Sequence, residues 1–258
     1  MANPNDSLLR VENLGVQFGA LVALDNLSWS LGRGEILGII GPNGAGKSTC
    51  YDAVTNLVRR KGRVYLKGED VTDVPANRLA AKGLRRAFQQ NAFFDNLTVL
   101  DNMIAVTQDE GGSSLAECLF RPITERRRTK AARERAAERL ERMGIERRLH
   151  DLLPGEISYG TQRQLSIALA YGTGADVLML DEPAAGLGGE DMVRLVELLQ
   201  SLRAEGVSIV VIEHHMDLIM SVADQIVVLD QGHLLAQGRP AEIQANEAVL
   251  EAYLGRSE

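Results

Sequence analysis

Only two cysteines, Cys50 and Cys118, occur in 258 residues, and no paired spacing links them. That excludes a disulfide framework and a paired-cysteine zinc site, and it fits a reducing compartment. Basic excess is missing as well, the formal net charge being −7. Duplex-DNA binders carry a basic face, so no nucleic-acid partner is expected. No run approaches about 18 uninterrupted apolar residues, so the chain is not expected to span a membrane by itself. The opening residues, Met1-Ala2-Asn3-Pro4-Asn5-Asp6, lack the basic start and apolar stretch of a signal peptide, and none is expected. Internal repeats and low-complexity linkers are also lacking. The length suits one large domain, or a core with a subdomain, that buries a substantial interior.

What is present begins with Gly41-Pro42-Asn43-Gly44-Ala45-Gly46-Lys47-Ser48-Thr49. The preceding run Ile36-Leu37-Gly38-Ile39-Ile40 is apolar and β-branched and reads as a buried strand. Lys47 to Val58 has helix-compatible composition and no proline. Strand, glycine-rich turn and helix form the context in which GxxxxGK[ST] binds phosphate. The glycines let main-chain N–H groups turn inward where a Cβ would collide. The helix start adds unpaired donors and partial positive charge. Lys47 reaches outer phosphates as a point charge, and the Ser48 hydroxyl is a candidate Mg²⁺ ligand. The alternative is a plain strand-to-helix turn. With glycine near 7% of residues, the four fixed positions recur by chance in roughly one chain in a hundred of this length. The pattern therefore implies a bound nucleotide.

Leu8 to Phe18 and Leu21 to Leu31 predict an antiparallel β layer, and Gly62 to Gly68 adds a short strand. Leu84 to Phe88 reads as a core strand. From Thr98 to about Gln164 the pattern is helical, and Glu125 to Arg148 is dense in Arg, Glu and Ala, with Leu140 and Met143 as a sparse apolar stripe. A solvated helix of mixed charge is the favoured reading of that stretch over a polyanion site. Beyond it strand and helix alternate: Val177 to Leu180, Met192 to Arg203, Val207 to Ile212, Met216 to Val222, Gln225 to Leu229, then short helices from Pro240 to Leu254. Alternation predicts a parallel sheet with crossover helices, whose ligands sit at the carboxyl ends of the strands.

Asp181 and Glu182 end the apolar run Val177-Leu178-Met179-Leu180. A carboxylate at a strand tip beside a phosphate loop can hold Mg²⁺, and Asp181 is the candidate. Glu182, one residue further, is placed to accept a proton from attacking water. Acids after strands are common, so this pair gains meaning from the phosphate loop. His214 follows the strand Ser208 to Ile212 and is a candidate to hydrogen-bond the γ-phosphate or the water; a solvent-facing strand-end histidine is the alternative, and it suits His215 better. Gln89, after its own strand, can ligand Mg²⁺ or orient water. Cys50, in the first helical turn, stands where a thiol pKa can be lowered, though a small packed side chain is the favoured reading.

The order of these residues resembles the ATP-binding subunits of ABC transporters over essentially the whole length. Ile157-Ser158-Tyr159-Gly160-Thr161 is similar to that family's LSGGQ signature, with Ile for Leu, Tyr159 for the first Gly and Thr161 for Gln; Gln162 and Arg163 continue the pattern. Gly188 stands where the family often has Asp. Alone, the pentapeptide is an ordinary helix N-cap by Ser158. The resemblance implies an α/β P-loop NTPase core with a mostly parallel sheet, an N-terminal antiparallel β subdomain and an inserted helical subdomain at about 92–165, all within one ATP-binding domain, 1–258. It implies ATP hydrolysis with Mg²⁺ on Ser48, Gln89 and Asp181, catalysis by Glu182 and His214, and adenine stacked on Phe18, unless Phe18 is core.

It also implies a head-to-tail dimer, with itself or a related chain, in which Ser158, Tyr159, Gly160 and Thr161 act in trans. Separate membrane permeases would dock near Asn91 to Val99, with Phe93 and Phe94, at the cytoplasmic face of a bacterial or archaeal inner membrane. A periplasmic or lipid-anchored solute-binding protein would take part indirectly. Pro183 to Leu187, Ile212 to Met216 and the tail Ala252-Tyr253-Leu254-Gly255 resemble branched-chain amino acid importers, with urea or amide import and lipopolysaccharide export as relatives. A soluble non-transport ATPase is the other class; the compact stretch between Gln89 and Ser158 leaves no room for the coiled-coil insertion usual there. A non-hydrolysing cassette is opposed by Lys47, Asp181, Glu182 and His214.

Overall fold

The computed structural model describes residues 7–87, 92–107 and 122–254. Two compact units result, one of Met1–Gln89 with Ala175–Glu258, the other of Gln90–Gly174. Among the described residues the first unit opens with β1 (Leu9–Phe18), β2 (Leu21–Leu31), β3 (Ile36–Ile40), α1 (Lys47–Val54), β4 (Lys61–Leu66), β5 (Glu69–Asp70), α2 (Ala76–Leu79) and β6 (Leu84–Ala87). The second unit holds α3 (Val99–Thr107), α4 (Pro122–Arg142) and α5 (Tyr159–Tyr171). The first unit then resumes with β7 (Val177–Asp181), α6 (Gly189–Ala204), β8 (Ser208–Ile212), α7 (Met216–Val222), β9 (Gln225–Asp230), β10 (His233–Gly238), α8 (Pro240–Gln244) and α9 (Glu247–Leu254).

Burial patterns explain which strands go where. Every residue of β3 and of β8 is buried, as expected of strands covered on both faces of a parallel sheet. β1 alternates buried and partly exposed positions over much of its length and pairs antiparallel with β2 and β4. The first sheet runs β2-β1-β4-β5 and the second β10-β9-β3-β8-β7-β6. In the second sheet β6, β7, β8, β3 and β9 pair in parallel, and β10 closes one edge antiparallel to β9. That edge strand lay outside the sequence reading, which placed nothing between Leu229 and Pro240. Its residues are mostly partly or fully exposed, so His233–Gly238 carries no clean alternation.

Cys50, Tyr51, Ala53 and Val54 of α1 share one apolar cluster with Leu9 and Leu14 of β1, Ile39 of β3 and Met179 of β7. Each fully buried Leu or Ile there contributes about 1.5–3 kcal/mol relative to exposure. The strand order sets the carboxyl ends of β3, β8 and β7 side by side, with Ile39 opposite Ile212 and Ile212 opposite Asp181.

In the second unit Thr98 caps α3, its Oγ1 accepting the Asp101 N–H at 3.1 Å. Val99, Leu100 and Met103 of α3 are buried, as are Ala136, Ala137 and Leu140 of α4, Met143 and Ile145 beyond it, and Leu165 of α5. The charged residues described between 130 and 148 lie mostly on the surface: Arg147 pairs with Glu134 at 2.6 Å and Glu141 at 2.7 Å, and Arg148 with Glu146 at 2.6 Å. Such exposed pairs contribute little each. Among the described residues no helix is long and apolar enough to cross a membrane.

Candidate functional site

Gly41 leaves β3 at φ +153°, and a Cβ there would lie 2.2 Å from the Leu229 carbonyl oxygen of β9. Gly46, at φ +99°, immediately precedes α1, and a Cβ on it would meet the Ala23 carbonyl oxygen at 2.9 Å. Two of the motif's glycines are therefore demanded by close approach of backbone. No side chain caps α1, so its first-turn N–H groups remain available to an anion. The Ala45 carbonyl accepts the Gly232 N–H at 3.0 Å, tying the loop to the β9–β10 turn. Pro42 and Thr49 are half-buried, Asn43, Gly44 and Ser48 exposed, and Ala45 buried.

Lys47 is 8% exposed, and its Nζ donates to the carbonyls of Gly41 at 2.7 Å and Pro42 at 3.0 Å. The ammonium thus lies against the loop it precedes into α1. Burial pulls its pKa down, while the carboxylates of Glu182, Asp181 and Glu213 oppose that shift.

Asp181 is the last residue of β7. Burial, then the neighbouring charges of Glu182 and Asp52, push its pKa up to about 6, with Arg86 acting the other way. Its Oδ1 is buried and accepts no hydrogen bond. A carboxylate oxygen in that position is costly without a donor or a cation. With the exposed Ser48 hydroxyl in the first turn of α1, the hard oxygen donors fit Mg²⁺.

Glu182 follows at φ +46°, a left-handed conformation unusual for a glutamate, held by its N–H donating to the Ile212 carbonyl at 2.8 Å. His214 Nδ1 lies 3.6 Å from Glu182 Oε1 and 3.7 Å from Glu213 Oε2, with about half of its side chain exposed. Five expected residues, Lys47, Ser48, Asp181, Glu182 and His214, therefore come together at one end of one sheet. Phe18 ends β1 half-exposed, so it is not a core residue. Gln89 lies outside the described residues. Cys50 is a packed side chain, fully buried, and burial pushes its thiol up to about 12.

In the second unit Ser158 is the N-cap of α5, at φ −62° and ψ 155°. Its Oγ accepts the Thr161 N–H at 3.2 Å and meets the Thr161 hydroxyl at 2.9 Å. Ser158 and Tyr159 are exposed, whereas Gly160 and Thr161 are buried. Thr161, the departure from Gln, thus turns inward to complete the cap.

Two groups escaped the sequence reading. Glu213 is fully buried, and its carboxylate accepts three main-chain N–H groups: Ala184 at 2.7 Å, His214 at 2.8 Å and His215 at 3.0 Å. It ties the loop after Glu182 to the loop carrying His214. Glu213, His214 and His215 could suggest a metal centre, but those three amides already occupy the Glu213 oxygens. A charged residue directly after four apolar strand positions, Ile209 to Ile212, was the available signal. The second group is Tyr51, whose hydroxyl donates to the carbonyls of Ala87 and, at 3.1 Å, Met179, bolting α1 to β6 and β7. Arg86 stacks 4.5 Å above its ring and bonds Asp52 at 3.2 Å and Thr55 at 3.0 Å. No local pattern marks either contact.

The ABC transporter family model matches residues 24–185, and the branched-chain amino acid ATP-binding cassette transporter model matches residues 233–258. The chain is 36% identical over 252 residues to the high-affinity branched-chain amino acid transport ATP-binding protein BraF of Pseudomonas aeruginosa, covering 97% of this chain and 98% of that one. It is 37% identical to the corresponding protein LivG of Salmonella typhimurium, with the same coverage. The crystal structure of the ADP conformation of an ATP-binding cassette of an ABC transporter superposes with a TM-score of 0.81 at 29% identity, over 97% of this chain and 99% of that one.

Proposed function

The chain belongs to the ABC transporter family, and from that premise we propose that it is the ATP-hydrolysing subunit of an importer of branched-chain amino acids. The observation that carries the reading is the meeting of Lys47, Asp181, Glu182 and His214 at the adjoining ends of β3, β7 and β8. Main-chain N–H groups of the loop 41–49, Pro42 excepted, cradle the triphosphate, and Lys47 exchanges its loop carbonyls for phosphate oxygens. Magnesium, when bound, neutralises charge developing on the transferred phosphoryl group; Ser48, Asp181 and Gln89 are the residues to hold it. Glu182 takes the proton from the attacking water, and His214 positions that water or the terminal phosphate. Phe18, half-exposed on β1, offers its ring to adenine.

A second subunit, a copy or a related chain, supplies Ser158 and the start of α5 to the terminal phosphate. Hydrolysis removes the charge that joins the two subunits, and their separation drives the permeases. Asn91 to Val99 form part of the docking surface; Asn91 lies outside the described residues, Phe94 is 59% exposed and Phe93 half-buried. Such a subunit works at the cytoplasmic face of the membrane, with a solute-binding protein delivering the amino acid on the other side. The test is reconstitution with the cognate permeases and binding protein. Leucine, isoleucine or valine uptake that requires ATP and is lost in Glu182→Gln is the expected result. ATP hydrolysis with uptake of none of the three would overturn the assigned solute.

A further inference from the structure

Asn102, the fourth residue of α3, has a fully buried side chain. Its amide is engaged on both sides. Oδ1 accepts the Phe94 N–H at 2.7 Å, while Nδ2 reaches the carbonyls of Phe94 at 3.0 Å, Leu97 at 3.1 Å and Thr98 at 3.0 Å. A single side chain therefore winds residues 94–98 round itself. The result is unusual for a surface loop: Phe94 and Leu97 face solvent, 59% and 36% exposed, on a backbone that is held in place. Apolar groups fixed in advance lose little conformational freedom when a partner covers them.

The same helix start is bonded to the segment that leads into Ser158. The Val99 N–H donates to the Leu152 carbonyl at 2.9 Å, and the Leu100 N–H to the His150 carbonyl at 3.0 Å. Arg133 of α4 adds a brace between Asp101 at 3.2 Å and Asp151 at 3.1 Å, which counts for little at exposed sites. After Leu152, the Leu153 N–H donates to Glu156 Oε2 at 2.7 Å, and the chain then enters α5 through the Ser158 cap. Phe94, Asn102, Val99 with Leu100, His150 with Leu152, and Ser158 thus form one bonded succession inside the second unit.

We propose that Asn102 is a positioning residue that transmits the docking of an apolar permease segment on Phe94 and Leu97 to the placement of Ser158. The inference rests on the reading of Asn91 to Val99 as part of the docking surface. Asn102→Ala removes the side-chain partner of the Phe94 N–H and of the Leu97 carbonyl, and leaves the Phe94 and Thr98 carbonyls only the main-chain N–H groups of Leu97 and of position 102, so the loop loosens although α3 keeps its own apolar face.

The experiment uses the complete transporter in vesicles and reads solute moved per ATP hydrolysed for Asn102→Ala, Phe94→Ala and the double variant. Each single variant is expected to lower that ratio at least tenfold, and the double variant to be no worse than the more severe single one, since both act through one loop. Wild-type coupling in Asn102→Ala beside a loss in Phe94→Ala would overturn the positioning role alone. Wild-type coupling in Phe94→Ala would instead remove the docking surface, and the inference with it. Additive losses would show that Asn102 acts by another route. Should Asn102→Ala not fold, amide exchange in the wild-type complex decides: the Phe94, Val99 and Leu100 N–H groups are expected to slow together on assembly with the permeases, and unrelated changes overturn the proposal.

Discussion

Two helix starts in this molecule carry candidate phosphate contacts, and they are built differently. α1 begins at Gly46 with no side-chain cap, and Lys47 packs on the loop carbonyls beside it. α5 begins at Ser158, whose hydroxyl already accepts the Thr161 N–H. The first has donors to spare and a buried cation at hand, so it suits tight binding of an anion by one subunit. The second has spent its cap internally and brings no cation of its own in the first turn. It adds contacts only where another surface already holds the phosphate. On the function proposed above, the difference would separate binding, carried by the first unit, from completion of the reacting complex, carried by the second.

The strongest way to break that separation is Glu182→Gln. Turnover is expected to fall ~100- to 10,000-fold, the range for losing a general base, while ATP affinity stays within a factor of about three. Turnover near wild type would take Glu182 out of the chemistry. Lys47→Ala comes next, with ATP affinity down about 100-fold, or about 2.7 kcal/mol; calorimetry showing unchanged affinity would undo the phosphate-loop assignment. Ser158→Ala should sharpen the comparison. Affinity for ATP in the isolated subunit is expected to be unaltered, and turnover of the dimer to drop roughly tenfold, equivalent to about one lost hydrogen bond. Equal loss in both measurements would place Ser158 in the primary binding site.

Asp181→Asn is the smallest effect and has a worked sign. Burial holds the Asp181 carboxyl at about 6, above its ordinary 3.8, because Glu182, Asp52 and Glu213 crowd it with only Arg86 in opposition. Its stabilising contribution is complete below the ordinary value and lost as pH rises through about 6. The asparagine variant, free of magnesium, should therefore melt roughly 2–4 °C above wild type at pH 8, the scale of about 1 kcal/mol here. That advantage should shrink towards pH 4. A variant less stable than wild type at pH 8 would contradict the burial argument.

How much of this was legible depended on how local the cause was. The phosphate loop is readable because its pattern is short and contiguous: Gly46 turns at positive φ into α1, and Lys47 follows at once. Runs such as Ser208–Ile212 announce buried strands by their lack of alternation. Glu213 was passed over because its three partners lie in two loops joined only by the pairing of β7 with β8. Thr161 looked like an altered signature residue, and its inward turn became visible only with the cap geometry. Asn102 gave no hint, since an asparagine near a helix start ordinarily faces solvent.

Residue order settled most of the strands (β5 and β10 excepted), where the chain must turn through glycine, and that a cradle of amides would stand before one ammonium. These are consequences of short-range sterics and of side-chain polarity within a few positions. The neighbours of β3 were settled only by folding. Crossovers of tens of residues separate β3, β7 and β8 along the chain, and loop-closure entropy rises so slowly with length that local sequence carries almost no record of the final strand order. That order is what brings Asp181 and Glu182 beside Lys47, and burial beside like charges is what raises Asp181 to about 6.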